Sequence, residues 1–254
     1  MQQKPRIIAR LDVKTENVVK GIRYEGLRVM GKPDELSTRY YEQGADELLY
    51  IDTVASLYGR NNLTDIVKQA ASHIFIPLTV GGGIRTVEDA QALLRSGADK
   101  IVVNTAAVAN PELITQLATV LGSQAVVVSL QVKKIDDDKW EAYVDNGREK
   151  TGLDALEWAK RVESLGAGEV LVTSVDRDGT GQGFDQAFIA RLVEAISIPT
   201  IAGGGARTPA DVVDILKSTA ASAVAVATML HYNRATIGDI KAELTQAGIS
   251  TARH

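Results

Sequence analysis

Cysteine is absent from the 254-residue sequence. That excludes a disulfide framework and any thiolate metal site. Histidine is scarce as well. His73, His231 and His254 are scattered, with no carboxylate clustered beside them, so no metal site is expected. No apolar run approaches the roughly 18 residues of a membrane helix. The N-terminal stretch MQQKPRIIARLDVKT offers only the short run Ile7–Ala9, too little for a secretory leader. An excess of positive charge is missing too, and a formal net charge of −4 argues against a general nucleic-acid binder. These absences leave a soluble, cytoplasmic chain, for which no cofactor is expected.

What is present is a core and a rhythm. Hydrophobic residues make up 45% of the chain and charged residues 24%, enough for a globular domain with a sizeable interior. Short β-branched runs predict strands at Arg6–Asp12, Glu47–Asp52, Ile76–Val80, Lys100–Asn104, Ala125–Gln131, Glu169–Ser174, Pro199–Gly203 and Ala223–Thr228. They are continuously apolar rather than alternating, as parallel strands covered on both faces should be. Between them lie helix-like stretches such as DELSTRYYEQ, TVEDAQALLRSG, PELITQLATVLG, DALEWAKRVESLG and TPADVVDILKS. Several open on Thr, Asp or Pro and close on Gly, the expected capping asymmetry.

The chain also repeats itself. IPLTVGGGIRTVEDAQALLRS (Ile76–Ser96) aligns without a gap on IPTIAGGGARTPADVVDILKS (Ile198–Ser218), a shift of 122 residues. GADE (Gly44–Glu47) and GAGE (Gly166–Glu169) fall at the same shift. Two (βα)4 halves, about 1–122 and 123–254, closing into one (βα)8 TIM barrel account for this best; an open doubly wound sheet is the alternative. In a barrel the chemistry lies at the C-terminal ends of the strands. Asp12, Asp52, Gln131, Ser174 and the Gly-rich turns then share one face. Glu47, Lys100 and Glu169, with Arg6 beside them, lie on the other.

VGGGIRT (Val80–Thr86) and AGGGART (Ala202–Thr208) each lead from a strand into a helix, where backbone N–H groups can approach an anion. One such turn is as well explained by turn geometry alone. Two copies, each followed by a strand ending near hydroxyl residues (Asn104 and Thr105; Thr228), point to paired phosphate cups and a long ligand with a phosphate at each end. SVDRDGTGQGFD (Ser174–Asp185) is by itself a weak signal, since Asp-Gly pairs are common in turns. Asp12 ends a strand and is followed by a long segment before the next clear helix, which favours a ligand-facing carboxylate beside a mobile lid carrying Lys20. KKIDDDKWEAYVDNGREK (Lys133–Lys150) reads as an inserted hairpin turning at DDDK.

With LDVK, VVKG, GADEL, PLTVGGGIRT, GADK, NTAAV, GSQAVVV, GAGE, DRDGT and a final HY in hand, the chain resembles, along nearly its whole length, the HisF family, the cyclase subunit of imidazole glycerol phosphate synthase. The resemblance implies a lyase of histidine biosynthesis that receives ammonia from a docked glutaminase. The ammonia attacks an amidine-linked substrate with two phosphates, giving imidazole glycerol phosphate and an aminoimidazole carboxamide ribotide. It implies Asp12 as a catalytic carboxylate and Lys20 as the loop lysine. One phosphate site would use Gly83, Asn104 and Thr105, the other Asp178, Gly179, Gly205, Ala227 and Thr228. Arg6, Glu47, Lys100 and Glu169 would form an ammonia gate at the N-terminal face, with Asp99 and Gln124 near the glutaminase.

The chain departs from the family pattern at one catalytic position. After the fifth strand the family has AIDAK with a second Asp; here SLQVK puts Gln131 there. An amide hydrogen-bonds but does not act as general acid or base. Arg10 stands where the family usually has Cys, and Gly203 where it has Ser. Two readings stay open: a working cyclase relying on Asp12, or a paralogue that hands ammonia to another acceptor, such as a surface-sugar amidotransferase partner.

Overall fold

The computed structural model describes residues 4–54 and 63–251. Among these residues twelve strands, numbered in chain order, join one sheet. Its barrel strands are β1 (Arg6–Lys14), β4 (Glu47–Asp52), β5 (Leu78–Gly81), β6 (Lys100–Val103), β7 (Val126–Asp136), β10 (Glu169–Ser174), β11 (Thr200–Gly203) and β12 (Ala223–Val226). All pair in parallel in that order, and two pairings complete the circle: β12 with β1 (Arg6 opposite Ala223) and β7 with β10 (Gln131 opposite Thr173). The fold is a closed (βα)8 barrel.

Alternation along each strand separates two cores. Ile8, Leu49, Val102, Val127, Leu171, Ile201, Ala223 and Ala225 form a small cluster that fills the bore. Their neighbours, such as Ile7, Ala9, Leu48 and Val128, belong to a far larger cluster between strands and helices. Both faces of each strand are therefore buried, which is why the runs read as uniformly apolar. The expected helices form at Pro33–Glu42, Val87–Arg95, Glu112–Leu121, Ala155–Ser164 and Pro209–Ser218. Further helices span Leu63–Ala71, Gln186–Ala195 and Ile237–Gln246, with short ones at Thr105–Ala109 and Thr228–His231.

Two excursions from the barrel matter for the site. The long segment after Asp12, expected as a mobile lid carrying Lys20, is an antiparallel hairpin of β2 (Asn17–Ile22) and β3 (Glu25–Gly31) that pairs back onto the end of β1. Its two-residue turn is Arg23–Tyr24, both at positive φ (52° and 64°). That backbone suits a tight hairpin but normally calls for Asn-Gly, and the left-handed conformation costs roughly 1–2 kcal/mol per non-glycine residue. The segment after β7 is the expected hairpin, turning at Asp137–Asp138 into β8 (Lys139–Val144), but it continues into a third strand, β9 (Glu149–Asp154). Trp140 anchors it: its indole N–H donates to Asp185 at 2.9 Å and its ring meets Phe188 at 5.4 Å.

Candidate functional site

Asp12 lies near the C-terminal end of β1 and is 3% exposed. Burial alone would raise its carboxyl, but Arg10 and Lys20 outweigh that and hold it below the usual range. Arg10 Nε donates to Asp12 Oδ1 at 2.8 Å, and Lys20 Nζ approaches Oδ2 at 3.4 Å. Lys20 itself is clamped by Asp178, at 2.9 and 2.8 Å to the two oxygens. Arg10 reaches further, to Thr173 Oγ1 at 2.9 Å and to the Tyr24 hydroxyl at 3.3 Å. Two cations and two carboxylates thus balance in a buried cluster. The β2–β3 hairpin is latched over it: Arg23 N–H donates to Asp178 O at 2.8 Å, and Gly179 packs so closely that a Cβ there would sit 2.3 Å from Gly21 O. Lys20 is therefore found buried and ion-paired rather than on an open lid.

Gln131, on β7, lies on the opposite wall of the barrel, four strands from β1, and is 6% exposed. Its Oε1 accepts from Gly147 N–H at 2.7 Å, in the loop between β8 and β9. Gln131, Ser129 and Arg10 line a cleft of about 370 Å³ that runs outward past Gly83, Asn104 and Thr105 and inward to Val102 and Leu171 of the bore. Asp12, Lys20, Tyr24 and Asp178 line a much smaller, nearly filled pocket alongside, and Asn146 borders both.

The two Gly-rich turns have the expected backbone: Gly82, Gly83, Gly204 and Gly205 are all at positive φ. The helix starts behind them differ from expectation. Thr86 and Asp89, and Thr208 and Asp211, form capping boxes, and each Asp carboxylate accepts the N–H groups of the two residues leading into its helix. Those N–H groups are satisfied internally, so an anion would be met by the glycine turns and by the starts of the two short helices, where Asn104 and Ala227 make no side-chain cap. The first set, Gly83, Asn104 and Thr105, faces the cleft, with the Thr105 hydroxyl accepting from Asp145 N–H at 3.2 Å. The second set does not line that cleft: Asp178 pairs with Lys20, and Gly205 packs under Gly183, whose oxygen would sit 2.1 Å from a Cβ.

At the opposite end of the bore the four charges form one closed ring. Arg6 bonds Glu47 at 2.5 Å and also Glu169; Lys100 meets Glu47 at 3.3 Å and Glu169 at 2.9 Å. Burial opposes the Arg6 charge, yet Glu169 and Glu47 raise it overall. Asp99 and Gln124 are exposed on the same rim, although Asp99 also accepts from Leu78 N–H at 2.8 Å and so secures the start of β5. Phe75, 76% exposed, stands in the loop before β5 on this face. Tyr24, Asn146 and Gly147 were not foreseen from the sequence. Nothing local marks them, because the hairpins bring them to the site. His73 meets Thr38 and Asp34, and His231 meets Tyr40, all on the helix Pro33–Glu42, but the described residues hold no cluster of three or more His, Cys, Asp or Glu that could bind a metal; His254 lies outside the described residues.

A family model described as Histidine biosynthesis protein matches residues 6–236, which sets this barrel among the histidine biosynthesis proteins. Imidazole glycerol phosphate synthase subunit HisF of Legionella pneumophila is 56% identical over 200 residues, 79% of this chain and 94% of that protein. The subunit of the same name from Bacillus cereus (strain ATCC 10987 / NRS 248) is 46% identical over 244 residues, 96% of this chain and 97% of that protein. The chain belongs to the HisF family.

Proposed function

We propose that the chain is the cyclase subunit of an imidazole glycerol phosphate synthase, using ammonia to convert an amidine-linked bis-phosphate into imidazole glycerol phosphate and an aminoimidazole carboxamide ribotide. The observation that carries this reading is the two-ended bore: a closed charged ring at its base, an apolar layer, and a polar cleft at its top. A glutaminase docks on the ring face, against Asp99, Gln124 and the exposed Phe75. Gly83, Asn104 and Thr105 hold one phosphate; Asp178, Gly179, Gly205, Ala227 and Thr228 frame the other, where an arriving phosphate competes with Asp178 for Lys20. The two half-barrels, about 1–122 and 123–254, supply one cup each. Work in the cytoplasm fits a chain in which no described helix is long and apolar enough to cross a membrane.

Asp12 takes a proton from the attacking nitrogen at Oδ2, the oxygen that Lys20 holds only loosely at 3.4 Å. Its depressed pKa makes it a weak base at neutral pH, and Gln131 adds none. The other reading, an ammonia carrier for a different acceptor, is not favoured: relatives 46–56% identical carry the imidazole glycerol phosphate synthase subunit name. The test is turnover of the bis-phosphate with ammonium salts and no glutaminase. Formation of both products is expected; their absence refutes the assignment.

A further inference from the structure

We propose that Tyr24 is the second proton-carrying catalytic residue of this site, standing in for the carboxylate that Gln131 replaces. The inference rests on the cyclase reading and adds to it a named group.

Tyr24 sits in an unusual backbone state. It holds a left-handed conformation, φ 64°, directly after Arg23 at 52°, where a hairpin would ordinarily use glycine or asparagine. Strain of this kind persists where the surroundings enforce it, and it gathers at functional sites. Here it drives an aromatic ring into the protein until only 5% is exposed. The ring reaches the pocket shared by Asp12, Lys20, Asn146 and Asp178. Arg10 and Lys20 each stand 5.8 Å from its centroid. On its other side it packs toward Gly147, where a Cβ would lie 3.5 Å from Tyr24 Cδ2, and Gly147 N–H is the donor that holds Gln131. Tyr24 thus spans the gap between Asp12 and Gln131.

Its hydroxyl is set up to give a proton. It accepts from Arg10 Nη2 at 3.3 Å, and among the described residues nothing accepts the phenol's own hydrogen. Burial raises the phenol, and the charges that face it, Arg10, Lys20, Asp12 and Asp178, come in balanced pairs, so the proton stays on until it is needed. As ammonia's nitrogen bonds to the substrate carbon, it sheds a proton to Asp12. As the amidine C–N bond breaks, the departing nitrogen takes the Tyr24 proton, leaving a phenolate between two cations. Return of the proton from Asp12 to the phenolate, across the small pocket both residues line, restores both groups, with one proton given, one taken and no electrons exchanged.

Tyr24→Phe keeps the ring and its cation contacts and deletes only the hydroxyl. Assayed with ammonium salts, it should lose on the order of 10²-fold in kcat with KM for the bis-phosphate little changed. Site-specific difluorotyrosine at position 24 keeps ring and hydroxyl but makes the phenol more acidic, so the alkaline limb of kcat should move to lower pH. A merely structural ring predicts neither effect. Undiminished kcat in Tyr24→Phe, or an unmoved limb, overturns the Tyr24 role and leaves the cyclase reading intact. No turnover by the unaltered chain removes both.

Discussion

Replacing Gln131 by Glu tests whether a carboxyl at this position is what the site lacks. The substitution is nearly isosteric. Gln131 Oε1 accepts from Gly147 N–H at 2.7 Å, and a Glu oxygen can occupy the same place with a stronger, charge-assisted bond. Asp is one methylene shorter and leaves that N–H without its partner, at a cost of roughly 1–3 kcal/mol if it stays buried. Proton transfer by a positioned group contributes about 10²–10⁴-fold. Since Tyr24 already carries part of the work, Gln131→Glu should raise kcat with ammonium salts by on the order of 10²-fold, the low end of that range. Gln131→Asp should gain activity too, with a lower Tm than Gln131→Glu. Adding Asp12→Asn to either should remove the gain. The assay needs only purified chain, the bis-phosphate and ammonia. If the unaltered chain already turns over at roughly 1 per second or faster, and neither carboxylate improves it, the reasoning about this position is wrong.

Three further outcomes follow from other parts of the molecule. Lys100→Glu places three carboxylates around Arg6, so glutamine-dependent turnover with a glutaminase partner should fall while turnover with free ammonia persists; unchanged coupling would remove the gate. Burial lowers His231 from 6.5 to about 4, so the unfolded chain binds this proton first as the solution is acidified. The stability this protects is complete above pH 6.5 and lost as pH falls toward about 4, roughly 3 kcal/mol in all, and urea titrations of His231→Gln should lack that component. Gly205→Ala combines a φ of 107° with a Cβ 2.1 Å from Gly183 O, whereas Gly248→Ala, at φ 80°, meets nothing within 4 Å. Both should lower Tm, the first by the larger margin and with weaker sulfate binding by calorimetry; equal effects would mean that the Gly183 contact relaxes freely.

The barrel was legible because its signal is redundant. Eight uniformly apolar runs and an internal repeat point to the same closed sheet, and the strand starts at Arg6, Glu47, Lys100 and Glu169 fall where the structure has them. The charged ring could be foreseen for the same reason: once register is known, the first inward residue of each strand is known. Local sequence said less about the excursions. The β2–β3 hairpin hid because its turn is Arg-Tyr rather than Asn-Gly, and β9 hid behind a loop, Asp145–Gly147, in which every residue has positive φ. The helix starts were misjudged in part because a capping Asp and an anion compete for the same N–H groups, and Asp89 and Asp211 win that competition internally. Asp12 could be picked out from its place at the end of a strand. Its weakness as a base could not, since that depends on Arg10 and Lys20 arriving from one residue pair below and from a folded-back hairpin.

The alternation that sorts Ile8 into the bore and Ile7 against the helices has an evolutionary corollary. A one-residue slip in the register of β1 would turn Arg6, Ile8, Arg10 and Asp12 outward together and bring Ile7, Ala9 and Leu11 into the bore. Gate, apolar layer, guanidinium and carboxylate would be lost in one step. The strands can therefore change what they carry, as Arg10 and Gln131 illustrate against the pattern the family resemblance implies, but not how many residues carry it. Length variation is expected in the excursions beyond their C-terminal ends rather than in the strands themselves. Divergence in this barrel should accordingly proceed by exchanging side chains at fixed addresses and by growing or trimming hairpins, with the wall between the two faces kept as an invariant ruler.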